Sequence, residues 1–168
     1  MSAPELCRPV DRTHLPSNAV NVEADEAERV ALARRFGLVA INQLSATASL
    51  KDDGTAVTAE GRLRARIVQS CSVSGEDVPV AIDEPLALRF VPERVIEADE
   101  MELQESELDE IEFIGDQFDL GEAVAQTLAL AIDPFAVGPE AERVRREQGL
   151  SDEAASGPFA ALAALKKP

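Results

Sequence analysis

The chain has 168 residues, 45% hydrophobic and 29% charged, with a formal charge of −16 at neutral pH. That length suits one domain with a real core plus tails, and with no Trp, no Tyr and six Phe the core has to be built from Val, Leu, Ile and Ala. The charge excludes general binding of polyanions, which needs a basic patch, so any phosphate contact must be local or made through a basic partner.

Residues 1–18 hold three prolines and no periodicity, which predicts an N-terminal tail. The opening MSAPELCRPV has no signal-like apolar stretch, and no run approaches the roughly 20 apolar residues of a spanning helix. The expectation is a soluble cytoplasmic protein. Val20 and Val22 mark a strand start. A helix follows over 25–36: Asp25 and Glu28 have capping-box spacing and Gly37 supplies a left-handed stop. Its apolar positions are Ala27, Val30, Ala31, Ala33 and Phe36.

From Gln43 the period changes to two, with Leu44, Ala46, Ala48 and Leu50 on one side and Ser45, Thr47 and Ser49 on the other. Lys51 to Thr55 reads as a hairpin turn, since Asp-Gly suits two positive φ angles. On the return strand Val57, Ala59, Leu63, Ala65 and Ile67 face inward; Thr58, Glu60, Arg62, Arg64 and Arg66 face outward. Ser74 to Asp77 makes a second turn, and 78–90 forms one long or bulged strand whose Pro79 and Pro85 place it partly at a sheet edge.

Residues 93–110 are an acidic, self-repelling insert; between Glu93 and Glu112 ten acidic residues face Arg94 alone. Residues 111–115 read as a short strand. Asp119 and Glu122 open a helix over 119–132, ended by Asp133-Pro134. A C-terminal extension, 136–168, carries a charged helical piece around 139–148 and an apolar PFAALAAL docking turn. The prediction is one α+β domain, 19–135: an antiparallel meander of four to five strands with two main helices packed on it and a partly ordered C-terminal tail.

No catalytic constellation emerges. The one histidine, His14, lies in the expected tail, so no nucleophile has a rigidly held base. Neither GxGxxG nor GxxxxGK[ST] occurs, and the acidic run lacks the spaced ligands and central Gly of a calcium loop. Cys71 has Ser74 where a paired thiol would complete a zinc knuckle, and Cys7 is in the tail, so the thiol reads as a small packing residue. These readings give a non-enzyme with no metal, cofactor or small-molecule substrate; a metal-dependent hydrolase is the weaker alternative.

Arg62, Arg64 and Arg66 share one strand face about 7 Å apart, close to the separation of successive phosphates along a nucleic-acid strand. With Arg89 on the next strand they are the candidate RNA or partner contacts. The plainer reading is a solvated face paired with Glu60, Asp83 or the acidic run, and no aromatic is interleaved to stack on bases. The acidic run likewise has two readings, a solubilising loop or a phosphate mimic that holds a basic partner.

The order of these pieces is informative: EADEAERVALARRFGL, a hairpin, RARIVQSCSVSGEDVPVAIDEPLALRFVPE, an acidic insert, IGDQFDLGEAVAQTLALAIDPF and a terminal PFAALAALKK. Over about residues 20–165 this resembles the YceD family of large-subunit ribosomal RNA accumulation proteins, most of all its alphaproteobacterial branch. The resemblance implies a role in 23S rRNA synthesis, processing or stability, with 23S precursor or a basic ribosomal or rRNA-processing protein as partner, and no catalytic residues. An acidic adaptor or chaperone for a basic ribosomal protein is the alternative. Many members carry CxxC where this chain has Cys71-Ser-Val-Ser74.

Overall fold

A computed structural model describes residues 5–93 and 110–149. Most of the acidic insert and the PFAALAAL stretch lie outside the described residues. Five strands form the main sheet in the order β2-β3-β4-β5-β6. They are β2 (Val20–Glu23), β3 (Ala40–Asp52), β4 (Val57–Ser70), β5 (Asp77–Pro92) and β6 (Glu110–Phe113). A small second sheet pairs β1 (Pro9–Asp11) with β7 (Gln117–Asp119). Among the described residues three α-helices complete the fold: α1 (Glu26–Phe36), α2 (Leu120–Ala131) and the short α3 (Ala141–Glu147).

The alternation on β3, β4 and β5 decides the layering. Leu44, Ala46 and Ala48, then Val57, Ala59, Leu63, Ala65 and Ile67, then Ile82, Leu86 and Phe90 all turn to one face and are buried. Helix α2 covers this face over β4 and β5 with Leu120, Val124 and Leu128, while α1 packs against β3. Phe90 and Phe118 stack with ring centroids 4.3 Å apart. The opposite face of the sheet carries no helix among the described residues, and its side chains are exposed or, as at Ser45 and Thr58, half-buried.

The meander is antiparallel from β2 to β5, but β6 runs parallel to β5. A parallel neighbour needs a crossover of a dozen or more residues, and the chain from 93 to 109 has that length. Because β6 pairs only with Arg89 to Pro92, the outer side of β5 from Asp77 to Leu88 is a sheet edge. Pro79 and Pro85 stand on that edge in an unbroken ladder with β4, as non-donors that discourage further strand pairing.

Residues 5–18 differ from the expected tail. Leu6 is fully buried, β1 pairs with β7, and Arg8 donates its backbone N–H to Asp119 Oδ1 at 2.8 Å. Gly121 admits this segment, since a Cβ there would stand 2.6 Å from the Leu6 carbonyl oxygen. Ion pairs fix it further: Arg8 to Glu28 at 2.7 Å, and Arg35 of α1 to Glu5 at 2.9 Å and to Glu122 of α2 at 2.7 Å.

Helix α1 has the predicted ends. Asp25 and Glu28 exchange both capping-box bonds, and Gly37 takes φ 66°. Its buried side is different: Leu32 and Ala33 are covered, whereas Ala27 is exposed and Val30 is 56% exposed. The helix is rotated so that Glu28 meets Arg8 and Arg29 reaches the Ala24 carbonyl at 2.7 Å. At α2 only half of the predicted capping box forms. Asp119 accepts from the Gly121 and Glu122 N–H groups, but the Glu122 carboxylate is held by Arg35. In the β3–β4 hairpin only Gly54 has positive φ, so the turn is not the two-residue form; Asp53 instead accepts from the N–H groups of Thr55 and Ala56.

Candidate nucleic-acid interface

Strand β4 presents Arg62, Arg64 and Arg66 to the open face, with β3 and β5 flanking them. The ladder sets the neighbours: Thr47, Arg62 and Pro85 lie in one row, Ser45, Arg64 and Asp83 in the next, Gln43, Arg66 and Ala81 in the third. The side chains beside the arginines are mostly short, so the guanidinium groups rise above a shallow surface. Parity along β3 already pointed Ser45 and Ser49 to this side; what was missed is that Ser45 lies beside Arg64 and Ser49 beside Glu60, which only the strand register reveals.

Among the described residues Asp83 is the one carboxylate paired with the row. Arg62 hydrogen-bonds it through Nε, and Arg64 Nε lies 3.6 Å from its other oxygen. The Arg62 hydrogen bond is the main reason the Asp83 carboxyl is held below its ordinary range. Arg66 makes no ion pair among the described residues, and Glu60, an expected partner, is not engaged by the arginines. Along β4 three cations therefore share one paired anion, a local cluster of positive charge on a chain that is strongly acidic overall, although Glu60 of β4 and Glu23 of β2 are exposed on the same face.

Arg89 is placed apart from this row. It reaches Asp53 Oδ2 at 3.1 Å and Glu110 Oε1 at 3.1 Å, clamping the β3–β4 hairpin to the start of β6. Hydrogen bonds to Thr55, then to the Ala56 and Thr55 N–H groups, hold the Asp53 carboxyl far below its usual range. With two carboxylates around it, Arg89 acts in the structure as a tie within the fold.

Cys71 follows β4 directly and is buried. Its Sγ accepts backbone N–H groups from Gly138 at 3.3 Å, Ser74 at 3.3 Å and Val73 at 3.4 Å. These donors, Gly138 foremost, stabilise the thiolate and pull the thiol down to about 6. Ser74 turns to Glu76 Oε1 at 3.0 Å, and the same oxygen accepts the Glu140 N–H at 2.9 Å. Ser72 N–H donates to the Ala136 carbonyl at 3.0 Å, so the turn after β4 holds the segment leading to α3. Next to it Gln69 donates to the Asp133 carbonyl at 2.8 Å, while its buried Oε1 has no partner among the described residues. Among the described residues no group of three or more His, Cys, Asp and Glu is placed to hold a metal ion, and none of their helices is long and apolar enough to cross a membrane.

Residues 59–166 match the family described as Large ribosomal RNA subunit accumulation protein YceD. The chain belongs to the YceD family. No curated protein and no solved structure matches it. The YceD match begins at Ala59 inside β4, so the arginine row, the Cys71 turn and Arg89 fall within it. Helix α1 and strand β3, part of the resemblance read from the sequence, precede it. The family description ties the chain to accumulation of large-subunit ribosomal RNA.

Proposed function

We propose that the chain is a non-enzymatic factor that supports 23S rRNA accumulation in the cytoplasm by contacting rRNA precursor through the open face of its sheet. Arg62, Arg64 and Arg66 are the contacts. The observation that carries this reading is the arginine row itself: three exposed guanidinium groups at alternate positions of β4 with one carboxylate paired to them, on a surface without a covering helix among the described residues. Phosphate contact uses such a local cluster of cations even when the net charge opposes it. The test is complementation of a deletion strain. Loss of the gene lowers 23S relative to 16S rRNA; the native gene restores the ratio and Arg62→Glu/Arg64→Glu/Arg66→Glu does not. Full restoration by the triple variant sinks the reading.

The acidic run supports a second reading, in which ten carboxylates between Glu93 and Glu112 hold a basic ribosomal or rRNA-processing protein. Deleting 94–109 then removes a co-purifying basic protein and leaves RNA contact unaltered. Retention of that protein by the deletion variant rejects it.

A further inference from the structure

Resting on the reading that the open face contacts rRNA, we infer that this face takes double-helical RNA by its backbone, not a single strand by its bases. Single-strand platforms work by stacking bases on aromatic side chains. Here Phe90, Phe113 and Phe118 are all buried on the helix-covered side, and no outward position of β3, β4 or β5 is aromatic. The groups the face does offer are backbone-directed. Arg66, Gln43 and Ser45 are uncommitted among the described residues, whereas the Thr47 hydroxyl is spent on Asn21 at 2.9 Å.

Guanidinium groups suit phosphate oxygens, and hydroxyl and amide groups suit the 2′-hydroxyl, which both donates and accepts. An A-form duplex displays both along a wide, shallow minor groove. The arginine row spans about 14 Å along β4, with Gln43 and Ser45 directly beside Arg66 and Arg64 on β3. A shallow surface with projecting cations and small polar neighbours fits that groove without needing an unstacked base. It also predicts indifference to sequence, since neither phosphate nor 2′-hydroxyl carries base identity.

The experiment measures full-length protein against three probes of equal length and unrelated sequence: an RNA duplex, an unstructured single-stranded RNA and a DNA duplex. The RNA duplex is expected to bind at least tenfold tighter than the single strand and severalfold tighter than the DNA. Arg66→Gln, which breaks no ion pair in the described structure, weakens RNA-duplex binding severalfold. Ser45→Ala weakens RNA duplex and leaves DNA duplex unchanged. Circular dichroism melts confirm that both variants are folded. Single-stranded RNA binding as tightly as the duplex overturns this inference while leaving RNA contact standing. Failure of every RNA probe to bind overturns the inference and the rRNA-contact reading together.

Discussion

Asp83 stands opposite Arg64 in the β4–β5 ladder, yet its hydrogen bond is made to Arg62. Arg64 keeps only the 3.6 Å approach. Diagonal neighbours on paired strands are within reach of long side chains, and strand twist brings one diagonal closer than the other. One carboxylate thereby restrains two guanidinium groups and competes with any phosphate for them.

Replacing Asp83 with Asn therefore raises RNA affinity severalfold, more than Asp77→Asn at the exposed start of the same strand. Stability changes little, because the pair is half exposed. Fluorescence anisotropy and thermal melting read the two effects. An unchanged affinity would show that Asp83 is no competitor.

The N-terminal segment is part of the core. Gly121→Ala places a Cβ 2.6 Å from the Leu6 carbonyl oxygen and 2.9 Å from the Arg8 nitrogen, both backbone atoms that cannot swing aside. The variant expels residues 5–12 from α2. Leu6→Ala removes a fully buried side chain and costs about 2–5 kcal/mol in urea unfolding. Gly121→Ala shows a comparable loss together with faster trypsin cleavage after Arg12; native stability and a native cleavage rate would contradict this packing.

Cys71 makes stability depend on pH. Its folded pKa of about 6 lies below the ordinary thiol value of 9.0, so the contribution of the thiolate is complete above that ordinary value and fades as pH falls toward the folded one. The stability difference between wild type and Cys71→Ser is expected to shrink as pH is lowered from 9.0 to about 6. Cys7 moves the opposite way, pushed up chiefly by its hydrogen bond to Asp119. Ultraviolet titration of the thiolates should then show two separated steps, and a single step near the ordinary value would contradict the Cys71 environment.

Strands β3 and β4 were legible because alternation runs from Gln43 to Leu50 and, Gly61 apart, from Val57 to Ile67, and the same alternation placed the arginine row on one face; the bulge between Ile41 and Gln43 leaves no such trace. The direction of β6 was not legible, since alternation says which face a side chain takes and nothing about which way the strand runs. The N-terminal strand has three residues, too few for a period, and its partner lies more than a hundred positions away. Helix α1 was misoriented because Ala and Val fit either environment; Leu32 and the pairing of Glu28 with Arg8 choose the side. Arg89 looked like a fourth contact because nothing in the chain order shows Asp53 and Glu110 converging on it.

The central claim, contact between the open face and rRNA, is tested most directly by nuclear magnetic resonance titration of the protein with a duplex fragment of 23S precursor. The account predicts that the largest shifts fall on residues 62–66 of β4 and 43–49 of β3, with α1 and α2 silent. Shifts confined to the helices or to the β3–β4 hairpin around Asp53, with β4 unmoved, would contradict it.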